Sequence, residues 1–223
     1  MLDRYYEVKA CKTDIYYFVE LIKRELPDVS EEDLICIGKG MSFIRKVYAY
    51  PDKDKAHYYN CLVTDMLSLM HSFSKFSVRI YYTEFRSVIE NFVRVILKFE
   101  NNNAMGVRNM FSKLKKEYNL SSKQFIDYLE GEYGKCCEII HSNCNADLPI
   151  YQYYEEIMRS DELDLKRISS IIRQLANFYN SCKKFIVFND YEQMDKAFYN
   201  QKEVLKYLLG EKNYIVYLKM DLR

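Results

Sequence analysis

The sequence predicts an all-α protein built as one helical bundle. Breakers are scarce: 6 Gly and 3 Pro in 223 residues leave little material for the many tight turns of a sandwich or barrel. Apolar side chains recur at three- and four-residue spacing over several long stretches. At 49% hydrophobic and 29% charged, the chain can build a core and keep a charged outer face.

Asp14 to Leu26 reads as a helix that stops before Pro27. Ser30 is the next N-cap, with Glu31, Glu32 and Asp33 in the first turn favouring the helix dipole. "CIGKGMSF" holds two of the 6 glycines and reads as a loop or turn; the full Walker spacing is missing, so a phosphate loop is not inferred. From about Asp54 to Phe76, Tyr59, Leu62, Met66, Leu69, Met70 and Phe73 share a helical stripe, and His57 and His71 fall off it as solvated residues. Ser77 to Phe99 is the clearest long helix, with Val78, Tyr81, Phe85, Ile89, Phe92 and Ile96 on its apolar face.

"ENNNAMG" is the main polar break, and Met105 to Tyr118 then reads as a basic amphipathic helix. Ser121 with Gln124 forms a capping box, and Leu120 with Phe125 a hydrophobic staple, for a helix ending near Gly131. A short helix follows through "YGKCCEIIH". Leu163 to Phe188 is a long core helix, Tyr191 to Leu209 a shorter one stopped by Gly210, and "NYIVYLKMDLR" a strand or docked extension. No repeat or linker divides the chain, so a single domain, 1–223, is expected.

The charge balance is +1, from 33 basic and 32 acidic side chains, which gives no global attraction to nucleic acid; binding would need a local basic patch. The 7 cysteines are odd in number and mostly scattered, which fits free thiols in a reducing, cytoplasmic compartment. No apolar run reaches the roughly 18 residues of a membrane span. GxSxG, HExxH and GxGxxG are absent. Cys136, Cys137, His141 and Cys144 are the strongest metal candidate, but neighbouring cysteines on a helix diverge by about 100° and no C-x2-C pair exists. Neither a metal nor a cofactor is expected.

Tyr133, Cys137, His141 and Cys144 step along one side of a helix. His141 there is either a core histidine or a general acid or base, since an ordinary imidazole titrates near 6.5. Arg86 and Glu90, one turn apart, read as a surface pair or as a partly buried pair facing a site. Arg79 lies beside them. Arg108, Lys113 and Lys116 line the basic helix, a solvated face or an RNA-contacting one.

The segments "YYTEFRSVIENFVRVIL" and "YGKCCEIIH" together resemble the HEPN-like helical bundles of prokaryotes. Arg86-Ser87-Val88-Ile89-Glu90 matches that family's RSLLE-type motif. Tyr133, Cys136, Cys137 and His141 match the spacing of its Tyr-x2-Leu-Ser-x3-His motif, with Cys136-Cys137 in place of Leu-Ser. The resemblance spans roughly 55–190. It implies an antiparallel bundle core there, with 1–54 and 191–223 as peripheral additions. It also implies a metal-independent endoribonuclease of anti-phage defence or of a toxin–antitoxin system, cleaving RNA at a composite Arg/His site on a homodimer interface, with an antitoxin or other protein partner. Lys135 stands where the family's R-x4–6-H motif has arginine. On this reading His141 and Arg86 are catalytic, and Glu90, Tyr133 and Lys135 support them. Arg79, Arg108, Lys113 and Lys116 bind RNA. The alternative is a non-catalytic HEPN-like binding or scaffold subunit of a defence complex, in which Arg86, Glu90, Tyr133 and His141 form a packing network. An unrelated all-α regulator is the third reading.

Overall fold

Ser30 and Ser77 open their helices by the same device. Each hydroxyl accepts a backbone N–H three residues on, from Asp33 at 3.2 Å and from Ile80 at 3.1 Å, which satisfies a donor the first turn leaves orphaned. In a computed structural model, the described residues around them are mostly helical. Among the described residues there are eleven α-helices and no strand. The structure describes 2–49, 52–75, 77–118, 120–141, 147–161 and 164–221, without the side chains of 2–5, 120, 121, 160 and 221. The helices are α1 (Leu2–Glu25), α2 (Glu31–Val47), α3 (Ala56–Ser72), α4 (Val78–Ile96), α5 (Val107–Glu117), α6 (Leu120–His141), α7 (Ile150–Ser160), α8 (Leu165–Asn189), α9 (Tyr191–Ala197), α10 (Lys202–Leu209) and α11 (Glu211–Asp221). None among the described residues is long and apolar enough to cross a membrane.

The chain gathers into two compact units: Met1–Pro51 with Ser169–Arg223, and Asp52–Ile168. The core expected at about 55–190 shares 55–168 with the second unit. Residues 169–190 fall in the first, with the N- and C-terminal segments.

In the first unit α2 is central, against α1, α9 and α10. The "GKG" segment, expected as a loop, lies inside α2. The physical reason is packing. Gly38 and Gly40 lie about 200° apart round the helix and let different neighbours in. A Cβ on Gly38 would sit 3.1 Å from Ile15 and 3.3 Å from Phe18 of α1, while one on Gly40 would fall 2.4 Å from the Cβ of Tyr179 on α8. Core contacts thus outweigh the weak helix propensity of glycine. The "NYIVYLKMDLR" tail, expected as a strand or extension, is helical in α11 as far as it is described, and the helix expected over Tyr191 to Leu209 is broken at Phe198–Gln201 into α9 and α10. Gly210, at φ 75°, separates α10 from α11 in a conformation that glycine adopts without strain.

In the second unit α4 packs on α3 and α6, and α5 covers both α4 and α6. The expected stripe on α4 is buried: Phe85, Ile89, Phe92 and Ile96 are at most 4% exposed. The helix ends in a Schellman motif. Phe99 N–H donates to the Arg94 carbonyl at 3.1 Å and Lys98 N–H to Val95 at 3.0 Å, with Lys98 held at φ 53°. The asparagine break is a built turn. Asn101 accepts His57 N–H at 2.9 Å through its side chain, donates its own N–H to Asp54 at 2.6 Å, and reaches Lys53 with its amide at 2.9 Å. One helix, α6, replaces the two expected around Gly131; a Cβ at Gly131 or Gly134 would meet nothing within 4 Å, so these glycines mark an open flank rather than a break. Helix α7 was not legible as an element. The Ser121–Gln124 capping box, the Leu120–Phe125 staple and Cys144 lie outside the described residues or side chains.

Gly40→Ala should be severely destabilising, because the new methyl meets a Cβ fixed to another helix rather than the tip of a flexible side chain. About 3 kcal/mol or more is expected, with Gly38→Ala milder, as read from paired denaturant melts. Equal stability of the two variants would contradict this contact. Lys98→Gly should stabilise by about 0.5–1 kcal/mol, by removing a side chain from a left-handed cap position; an unchanged or lowered denaturation midpoint is the contrary outcome.

Candidate functional site

Two arginines on α4 reach α6. The Arg79 terminal nitrogen donates to the Ile140 carbonyl at 2.7 Å, and Arg86 Nε donates to the Tyr133 hydroxyl at 3.1 Å. The arginines are seven residues apart and their partners are seven apart in the opposite order, so α4 and α6 run antiparallel with a fixed register. Arg79 thereby satisfies one of the carbonyls that the end of α6 leaves open. Its own end of the helix is held by Asp161. That carboxylate accepts Arg79 N–H at 2.7 Å and the Ser77 hydroxyl at 2.6 Å, and its backbone carbonyl accepts Val78 N–H at 2.8 Å.

Arg86 is half-buried, its guanidinium 5.4 Å from the Tyr133 ring centroid. The hydrogen bond to Tyr133 raises its already high pKa, so it stays a cation. Burial pushes the Tyr133 phenol up and the arginine partly opposes that. The Tyr133 ring also stands edge-on to Phe111 at 6.0 Å. Among the described residues the two terminal nitrogens of Arg86 have no hydrogen-bond partner. The contact with Tyr133 therefore aims the guanidinium while leaving its forked end free.

Glu90 does not pair with Arg86, one turn before it, but with Arg94, one turn after, at 2.8 Å. It acts on Arg86 only through space. Arg94 is the residue that the sequence reading missed. It lies over the Tyr58 ring at 4.8 Å and donates to the Asn103 carbonyl at 3.3 Å, tying α3, α4 and the asparagine turn together. The signal was present: Glu followed four residues later by Arg is the favourable order on a helix. A second missed residue, the carboxylate Asp65 on α3, accepts Ser87 at 2.6 Å and Asn91 at 2.7 Å from α4.

Lys135 is exposed and paired with Glu132 at 2.6 Å. His141 is exposed at the last turn of α6. The register puts His141 beside the Arg79 level of α4, about 10–12 Å along the helices from the level of Arg86. Lys135 and His141 point about 120° apart round α6. One chain therefore brings Arg86 to Tyr133 but does not bring His141 or Lys135 to Arg86. On α5, Lys113 pairs with Glu117 at 3.5 Å and lies 5.0 Å from the Phe99 ring centroid. Arg108 and Lys116, about 80° apart on α5, are exposed and have no acidic partner among the described residues. Lys115 joins α5 to α6 through Asp127 at 2.9 Å and Glu130 at 2.5 Å.

Cys136 is fully buried, and burial, with Glu132 adding to it, pushes its thiol up to about 12. An unfolded cysteine loses its proton near 8.5. Between those values the native chain keeps a proton that the unfolded chain has released, so stability must fall as pH rises through that window. Urea melts between about pH 9 and 11 should show Cys136→Ala losing less stability than wild type, by up to roughly 1.4 kcal/mol per pH unit. Parallel decline of the two proteins would refute the buried thiol.

Compared with protein-family models, curated proteins and solved structures, the chain matches none.

Proposed function

We propose that the chain is a metal-independent endoribonuclease effector of a HEPN-like kind, acting in anti-phage defence or a toxin–antitoxin system. The observation that carries this reading is Arg86. Its Nε is fixed by Tyr133 while both terminal nitrogens have no hydrogen-bond partner among the described residues, which is the arrangement that binds a phosphate through two parallel N–H donors. Cleavage would proceed by attack of the ribose 2′-hydroxyl on the adjacent phosphorus. The P–O2′ bond forms and the P–O5′ bond breaks, leaving a 2′,3′-cyclic phosphate and a free 5′-hydroxyl. A base must take the 2′ proton, an acid must supply one to O5′, and a cation must face the charge on the phosphorane. The exposed His141 imidazole is the proton carrier in this scheme and Arg86 the cation.

The axial offset between them is why a second copy is required. Two chains about a two-fold axis can set His141 of each beside Arg86 of the other, and two imidazoles can then serve as base and acid. Arg108 and Lys116 offer free positive charge for the flanking RNA backbone. Lys113 and Arg79, both engaged within the fold, have less to give it.

One observation favours the non-catalytic reading. Arg79 and Arg86 both tie α4 to α6, and that alone is a structural role. The two readings separate in one experiment. Purified wild type, His141→Ala and Arg86→Ala are incubated with RNA in EDTA, and their melting temperatures are recorded. The ribonuclease reading expects each change to lower cleavage by at least about 100-fold. His141→Ala should leave melting nearly unmoved, because His141 is exposed. Cleavage that survives both changes removes the site. Absence of cleavage in wild type, with a melting loss of several degrees in Arg86→Ala, establishes the packing network instead.

A further inference from the structure

The first unit contains a second group of cations that the proposed ribonuclease site does not use. Lys39 of α2 and Lys12 of α1 share one aromatic ring, that of Tyr207 on α10, with their ammonium nitrogens 4.2 Å and 5.3 Å from its centroid. Lys183 of α8 lies beneath, only 3% exposed, and donates to the carbonyl of the next α10 residue, Leu208, at 3.3 Å. Lys12 repels Lys39, and Lys39 repels Lys183. Among the described residues none of the three has a carboxylate partner, although the chain carries 32 acidic side chains.

Such an arrangement is costly without an anion. A buried ammonium with one carbonyl leaves two of its three donors unused, and desolvation acts against its charge. The ring face offsets part of the repulsion between the outer two lysines but supplies no counter-charge. The three depths differ: Lys12 is exposed, Lys39 half-buried and Lys183 enclosed. The accessible end of the cluster is therefore that of Lys12. Cations gathered at one ring suit a compact anionic head more than an extended polymer backbone. With no carboxylate partner among the described residues, several point-charge donors suit phosphate in particular.

We propose that the junction of α1, α2, α8 and α10 binds a phosphate group, with Lys12 and Lys39 as its contacts and Lys183 supplying charge from below. The phosphate is either free or the terminal group of a small molecule, and it replaces the Tyr207 ring as the partner of the two outer ammonium groups.

The test is calorimetric titration of the full chain with inorganic phosphate and, separately, with a nucleoside monophosphate, each against sodium chloride at matched ionic strength. Saturable binding of either is expected. Equal affinities identify the free anion, and tighter binding of the ester identifies the phosphorylated small molecule. Lys12→Gln/Lys39→Gln should weaken binding at least tenfold, whereas Lys184→Gln, on the exposed side of α8, should not change it. Both lysines changed are at or near the surface, so the variant should melt like wild type. The proposal is overturned if neither probe binds beyond the chloride control. It is equally overturned if the double variant binds as wild type does.

Discussion

The antiparallel register of α4 and α6 governs the second unit. It is set where two arginine side chains, one heptad apart on α4, reach a carbonyl and a phenol on α6. With that register in place, Ile126, Leu129 and Cys136 fall into the buried seam, each at most 1% exposed. Tyr133 sits at its edge, and Lys135 and His141 are turned outward. A shift of one helical position would rotate α6 by about 100°, burying a charge or exposing the seam. The polar contacts thus select one alignment from several that apolar packing alone would tolerate. The burial of Cys136 and the exposure of His141 are two consequences of the same constraint.

The helical class was legible because breakers are few and the apolar spacing is regular, and α4 shows this best. What was not legible follows from interactions between distant residues. Nothing local in "CIGKGMSF" announces that Gly40 must admit Tyr179, 139 residues later, so its two glycines read as a loop. Gly131 read as a stop for the opposite reason: no neighbour requires a glycine there, and α6 simply continues through it. Helix α7 was missed although its apolar residues are helically spaced. Much of that face is exposed, with Ile150 at 89% and Tyr154 at 63%, and its neighbours in sequence carry the turn signals that dominated the reading.

Of the candidate site, one contact between two named residues was legible, and the other pairings were not. Arg86 and Tyr133 were named from two motifs 47 positions apart, and they meet. Glu90 was assigned to Arg86 because the two lie one helical turn apart, yet it bonds Arg94. On a helix each charge has an i−4 and an i+4 neighbour, and sequence spacing cannot rank them. The ranking comes from the fold. Tyr58 and Asn103 hold the Arg94 guanidinium at one end, and Glu90 completes it at the other, while Arg86 is drawn to Tyr133 on α6.

A net charge near zero concealed how unevenly the cations are used. Lys115, Lys135, Arg94 and Lys202 each sit against a carboxylate. Arg86, Arg108 and Lys116 in one unit, and Lys12, Lys39 and Lys183 in the other, do not, among the described residues. Since acidic residues are nearly as numerous as basic ones, 32 against 33, the unpaired sets reflect placement and not a shortage of partners. The two sets also differ in kind. Arg86 is a planar fork aimed by a phenol, suited to gripping a phosphodiester in one orientation. The lysines are point charges around one ring at graded depth, suited to neutralising a compact anion with little demand on orientation. That difference is why RNA is proposed for the first unpaired set and a small phosphate for the second, and it makes each proposal answerable to its own variants.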